Sequence, residues 1–311
     1  MAPMPKPALD MTVSVAGIEF KNPVIAASGT FGYGVEFEDV VTLDRLGGFV
    51  VKGLSREPMP GNPPPRLFET SAGMLNAIGL QNIGVQTFLS EKLPQLRKIR
   101  NIVYLCNVFG HTQEDYEEVT RALNDGEGIA GYELNVSCPN TKHGGIFFST
   151  DPTLLSELVG LVRPLTRRPL IVKLSPNVSR IEPLAQAAEQ AGADAISLVN
   201  TFVSLAIDAH TRRPRIGAGF GGLSGPAIKP IALRMVYEAS RAVRIPVIGL
   251  GGIRNGEDAA EFLIAGASAV QVGTVNFWDP AAPCRIAREL DSFLKREKVN
   301  NVKELVGTLQ I

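Results

Sequence analysis

Gly131-Tyr-Glu-Leu-Asn135-Val-Ser-Cys-Pro-Asn140 starts as a buried strand and ends as a cluster of reactive groups. Two amides, a hydroxyl and a thiol collect where the apolar run stops, and Pro139 cannot continue a hydrogen-bonded ladder. The pattern predicts a strand over 131–134 whose carboxyl end carries chemistry. A lone cysteine is by default a small buried hydrophobe, so Cys138 acquires meaning only if other strands end in the same way.

They do. Short apolar runs suited to buried parallel strands recur at 24–27, 48–51, 102–105, 131–134, 170–172, 195–199, 246–249 and 269–272. Helical patterns fall between and after them, at 36–46, 85–99, 113–123, 152–164, 181–191, 226–243, 256–265 and 281–298. Strand and helix thus alternate eight times. This predicts an α/β fold, a single (β/α)8 or TIM barrel occupying residues 1–311 as one domain, rather than an open doubly wound sheet. Val15-Ala-Gly-Ile18 predicts a small hairpin ahead of the first strand. Asp151-Pro152 caps a helix, and Gly192 and Gly266 stand where helices should stop. Two connections are too long for turns, 53–82 after the second strand and 201–225 after the sixth, and loops of that kind are usually functional.

Composition narrows the partners. Basic and acidic residues balance at 31 each, so no overall field favours nucleic acid or an anionic membrane. No apolar run reaches membrane-spanning length, and 1–10 is proline-rich without the apolar core of a signal peptide. The three cysteines, Cys106, Cys138 and Cys284, are far apart, which argues against a disulfide framework, a zinc site or an iron–sulfur cluster held by this chain. The expectation is a cytoplasmic protein with reduced thiols.

In a barrel the site is assembled from the residues just beyond each strand. Here the strand ends read Ser28-Gly-Thr30, Lys52-Gly53, Asn107, Asn135 with Cys138, Lys173, Asn200-Thr201, Gly251-Gly252 and Gly273-Thr274. Such convergence is hard to obtain from packing. The glycines closing the seventh and eighth strands suit a phosphate, which needs close approach of backbone N–H groups. Lys52 and Lys173 end apolar runs and should point into the mouth, to neutralise an electron-rich ring or a carboxylate; Lys173 could alternatively form a Schiff base. Gly217-Ala-Gly-Phe-Gly-Gly222 matches a dinucleotide fingerprint in letters only, since no buried strand precedes it. His111, His143 and His210 lie in predicted loops without metal-ligand spacing.

With these residues placed, the sequence resembles the dihydroorotate dehydrogenase family, and within it the catalytic subunit of class 1B. The resemblance runs from Asn22-Pro23 to about Trp278. It rests on Ala27-Ser-Gly-Thr-Phe-Gly-Tyr-Gly34, Asn76-Ala-Ile-Gly-Leu-Gln-Asn82, Asn135-Val-Ser-Cys-Pro-Asn140, Ile171-Val-Lys-Leu-Ser-Pro176, Val199-Asn-Thr201, Gly221-Gly-Leu-Ser-Gly-Pro-Ala-Ile-Lys-Pro230 and Gly249-Leu-Gly-Gly-Ile253. The resemblance implies oxidation of dihydroorotate to orotate on FMN, in pyrimidine synthesis. It makes Cys138 the general base and puts Lys173 against the flavin. Lys52 would touch both flavin and substrate. Ser28, Gly53, Asn107, Asn135 and Val199 would line the ring and ribityl chain, and Gly225, Gly251, Gly252, Gly273 and Thr274 the phosphate. Asn76, Ala77, Ile78, Gly79, Leu80, Asn135, Asn200 and Thr201 would hold the substrate. Class 1B further implies a partner subunit carrying FAD and a [2Fe-2S] cluster that passes electrons to NAD, in a homodimer or heterotetramer. Competing readings are a fumarate-linked class 1A or other dihydropyrimidine oxidoreductase, a Lys173 Schiff-base lyase or aldolase, and a non-catalytic phosphate-binding barrel. Leu105-Cys-Asn-Val-Phe-Gly110 and Thr201-Phe-Val-Ser204 depart from the family pattern beside the flavin and at the substrate lid.

Overall fold

A strand covered on both faces must be apolar throughout, and that requirement decides the architecture. In the computed structural model, which describes residues 9–137, 139–140 and 146–311, all eight apolar runs become strands. They are Val24–Ala26, Gly48–Val50, Tyr104–Val108, Gly131–Asn135, Leu170–Lys173, Ala195–Leu198, Val247–Leu250 and Ala269–Val272. Each pairs in parallel with the next in the chain, and the last pairs with the first through Val272 and Ala26, closing the barrel. Every strand residue is buried except Asn135, which stands at the carboxyl mouth.

The predicted hairpin forms from Val13–Val15 and Ile18–Phe20, turning at Ala16-Gly17 with positive φ at both residues. It plugs the amino-terminal end of the barrel. Phe20 packs where a side chain on Gly48 would sit, and Ile18 does the same at Gly131.

One predicted helix fails. Residues 36–46 form two isolated 3₁₀ turns, Val35–Phe37 and Leu43–Arg45. The β-branched run Val40-Val41-Thr42 lies between them, and Thr42 takes φ −73°, ψ 88°, outside the helical region. The segment instead stacks Phe37 on Phe31 with ring centroids 4.1 Å apart. The predicted helix over 85–99 ends at Leu96 and contains a π turn at Phe88–Lys92. Pro94 follows two residues after it; lacking an N–H, it cannot make an ordinary helical bond back to that turn. The other predicted helices form, with Asp151 accepting from Thr153 N (2.7 Å) and Leu154 N (3.2 Å) at its cap.

The two long connections are not separate loops. They build one antiparallel sheet over the barrel mouth, Leu67–Thr70 and Gly73–Asn76 from the first and Phe202–Leu205 and Phe220–Ser224 from the second. The order is Phe202–Leu205, Phe220–Ser224, Gly73–Asn76, Leu67–Thr70. The join pairs Gly222 with Asn76 and Ser224 with Met74. Most of Gly217–Gly222 therefore belongs to a lid strand and its approach, not to a nucleotide-binding turn.

Candidate active site

The barrel mouth and its lid enclose a cavity of about 440 Å3, within the range of small-molecule sites. Every described residue that the resemblance assigns to flavin or substrate lines it. From the barrel come Ser28, Lys52, Gly53, Asn107, Asn135, Lys173, Val199, Asn200, Thr201, Gly251, Gly252, Gly273 and Thr274; from the lid come Asn76, Ala77, Ile78, Gly79, Leu80 and Gly225. Cys138, the expected base, lies outside the described residues, as does His143. No group of three or more His, Cys, Asp or Glu among the described residues is placed to hold a metal ion.

The polar groups are held by the strand ends that carry them. Asn200 Nδ2 donates to Asn135 Oδ1 (3.2 Å) and to Ser137 Oγ (3.0 Å), and Asn200 Oδ1 accepts from Thr201 N at 2.9 Å. Tyr116 fixes the same strand end from behind, donating to Asn135 O at 2.7 Å. Asn76 Nδ2 donates to Gly222 O at 3.1 Å across the lid. A side chain at Gly222 would begin 2.1 Å from Thr201 Oγ1, so glycine there is what lets the lid close over Thr201. Ser28 Oγ donates to Val51 O at 2.7 Å, tying the first strand end to the second.

The two lysines are not equivalent. Lys173 is 5% exposed and its ammonium lies 3.3 Å from Glu133 Oε1. Lys52 has no acidic partner among the described residues, and burial, then the like charge of Arg66, hold it below the usual lysine range. No acidic side chain lines the cavity among the described residues. Such a site favours an anionic ligand.

At the turn expected to hold a phosphate, Gly252 has φ +81°, and an added Cβ would lie 2.7 Å from Lys229 Cβ and 2.9 Å from Gly225 O. The backbone there is bare by necessity, with Thr274 Oγ1 bonded to Ser224 Oγ at 2.8 Å beside it. A bare backbone turn, an uncompensated ammonium and a ring of amides fit a flavin mononucleotide, which has a phosphate, a hydroxylated chain and an amide-edged ring.

The sequence reading missed several residues. Glu133, Ser197 and Gln271 sit within barrel strands and are buried to 0%, 0% and 1% exposure, and Asn177 anchors the lid. Polar residues inside otherwise apolar runs, as in Tyr132-Glu-Leu134 and Val270-Gln-Val272, were the available signal. Cys106 is the opposite case, a fully buried thiol whose burial pushes its pKa well up, which makes it core rather than chemistry.

Fold and cavity define a (β/α)8 barrel with a lidded, cation-bearing small-molecule site at its carboxyl end. A family model described as dihydroorotate dehydrogenase matches residues 10–294, and the chain belongs to that family. The family comprises flavin-dependent oxidoreductases acting on a CH–CH bond. The chain is 70% identical to a protein of Solibacter usitatus (strain Ellin6076) named putative dihydroorotate dehydrogenase A (fumarate), over 96% of this chain and 98% of that one. It is 53% identical to the dihydroorotate dehydrogenase B (NAD(+)) catalytic subunit of Citrifermentans bemidjiense (strain ATCC BAA-1014 / DSM 16622 / JCM 12645 / Bem), over 97% and 99% respectively. It is 54% identical to the protein of that name from Pelobacter propionicus (strain DSM 2379 / NBRC 103807 / OttBd1), again over 97% and 99%. Among the described residues, no helix is long and apolar enough to cross a membrane.

Proposed function

We propose that this chain oxidises dihydroorotate to orotate with FMN in the cavity, as the catalytic subunit of a cytoplasmic B-type enzyme. The observation that carries this reading is the convergence of the described motif residues on one lidded cavity. FMN, when bound, supplies the acceptor for the hydride that leaves C6 of dihydroorotate.

The chain supplies the rest. Cys138, assigned by its motif, takes the proton from C5 as a thiolate. Asn76, Asn135, Asn200 and Thr201 offer neutral donors and acceptors to the amide-rich ring. Lys52, an ammonium with no acidic partner among the described residues, would contact both the substrate and the flavin. Lys173 presents a fixed positive charge where negative charge develops on reduction. Gly225, Gly251, Gly252, Gly273 and Thr274 hold the phosphate through backbone N–H groups and one hydroxyl. The lid excludes water from the transferring hydride.

Electrons then leave through a partner subunit bearing FAD and a [2Fe-2S] cluster, with NAD as final acceptor; the relatives named as B-type catalytic subunits support this. The 70% identity to a protein named as a fumarate-linked enzyme favours a second reading, in which the chain passes electrons directly to fumarate. The primary test is an anaerobic visible spectrum of the purified protein before and after dihydroorotate. A flavin spectrum that bleaches supports the proposal; a colourless protein that takes up no FMN rejects it. Turnover with fumarate by the isolated chain would select the second reading, and NAD reduction confined to the reconstituted complex the first.

A further inference from the structure

Glu133 is a charged residue in the middle of a buried strand, and the reaction described above does not use it. It is 0% exposed and lies beneath the cavity floor without lining it. Its Oε1 accepts from Asn107 Nδ2 at 2.8 Å and Lys173 Nζ at 3.3 Å. Its Oε2 accepts from Ser197 Oγ at 3.0 Å and Gln271 Nε2 at 2.6 Å. The four donors come from the third, fifth, sixth and eighth barrel strands. A carboxylate taken out of water is tolerated only when donors and a counter-charge replace the lost hydration, and here all four lone-pair directions are used.

The donors themselves give this arrangement a function. Asn107, Lys173 and Gln271 line the cavity, whereas Ser197 does not. Glu133 engages the Asn107 amide N–H2, so the carboxamide oxygen is the end left over, near Gly53, where an added Cβ would approach it to 2.9 Å. Glu133 also draws the Lys173 ammonium to a fixed point and compensates its charge, whereas Lys52 has no acidic partner among the described residues. Plain packing would have filled this layer with aliphatic side chains, as in the strands around it.

We propose that Glu133 is the positioning residue of the flavin site, fixing the Lys173 ammonium and the orientation of the Asn107 carboxamide from below. It touches neither cofactor nor substrate and acts through those two side chains. The proposal rests on the FMN reading above. Because Glu133 contributes a negative charge beneath the floor, it would also disfavour electron uptake by a flavin held in the cavity.

The test uses Glu133→Gln, which keeps the shape and removes the charge. Apoprotein is titrated with FMN by fluorescence, and the reduction potential of the reloaded protein is measured by dye equilibration. The variant should bind FMN about tenfold more weakly, as expected for losing hydrogen bonds to a charged group, and its potential should shift positive. A structural role alone would lower the melting temperature of the apoprotein and leave both readouts unmoved. Should Glu133→Gln not fold, Ser197→Ala decides. The Ser197 hydroxyl bonds Glu133 and does not line the cavity, and removing it leaves the backbone pairing with Lys173 in place, so an effect on the flavin reports on the carboxylate; about threefold weaker binding with a shift of the same sign is expected. FMN affinity and potential equal to wild type in the folded variant overturn the proposal. Failure of wild-type protein to bind FMN overturns the flavin reading itself, and this inference with it.

Discussion

Asn177 binds the first strand of the lid much as a neighbouring strand would: its Oδ1 accepts from Val203 N at 2.8 Å and its Nδ2 donates to Thr201 O at 3.0 Å. The same Nδ2 reaches Ser175 Oγ at 3.0 Å, so the clamp is fixed to the loop beyond Lys173. The fifth strand end thereby positions the backbone of the sixth, which carries Asn200 and Thr201 into the cavity. Asn177→Ala should raise the KM for dihydroorotate several-fold and leave FMN affinity near wild type. Each lost bond contributes about 1 kcal/mol, which is tolerable for the barrel and large for a lid. Steady-state kinetics with a parallel FMN titration checks this; an unchanged KM would mean that the lid is set elsewhere.

Lys52 links the site to pH. Its ammonium is held below the ordinary lysine value first by burial and then by Arg66. The folded protein therefore releases this proton at lower pH than the unfolded chain does. Between those two values the unfolded chain binds more protons, so this group makes stability rise with pH through that window and penalises folding below it. Binding of an anionic substrate has the opposite sign, weakening as pH climbs through the folded titration. Lys52→Met should remove the rise in stability, leave the apoprotein melting no lower at neutral pH, and raise the dihydroorotate KM. Thermal melts and KM across the alkaline range decide it. A substitution that changes neither would remove Lys52 from the site.

The parts of the molecule visible in the sequence and the parts hidden from it differ in the range of the forces involved. The strands could be read because a doubly covered strand must be apolar along its own length, as in Leu170-Ile-Val172. Site residues at strand ends could be read because the barrel projects them to one face. The lid could not, since the pairing of Gly222 with Asn76 joins segments far apart in the chain, and glycine-rich Phe220–Ser224 carries little strand propensity. Glu133 was hidden for a related reason. Its four partners lie on four strands, and nothing local distinguishes a satisfied buried carboxylate from a misplaced one. The failed helix over 36–46 shows propensity winning locally, with Val40-Val41-Thr42 breaking a pattern that spacing alone supported.

Gly252 tests the phosphate end. Its φ of +81° and a backbone oxygen 2.9 Å from a would-be Cβ leave no room for a side chain. Gly252→Ala should destabilise the protein by about 1–3 kcal/mol through strain, and weaken FMN binding more than riboflavin binding, since only the former has the phosphate. Calorimetry and parallel titrations with the two flavins report both effects. Equal weakening for the two would place the phosphate away from this turn.

Cys138 closes the chemistry, and its assignment rests on the motif Asn135-Val-Ser-Cys-Pro-Asn140. Proton abstraction and hydride loss occur on adjacent carbons, so a base is needed next to the ring that loses the hydride. The described neighbours of this segment supply none: Asn135, Ser137 and Asn200 bond to one another, Lys173 is paired with Glu133 beneath the floor, and no carboxylate lines the cavity among the described residues. A thiolate beside positive charge is a competent base near neutral pH, which is the role the motif gives Cys138. Cys138→Ala should bind FMN as wild type does and bleach with dihydroorotate about 10²–10⁴-fold more slowly, the range expected for removing a general base. Stopped-flow reduction under anaerobic conditions measures the step directly. Reduction within a few-fold of wild type would transfer the role of base to another group.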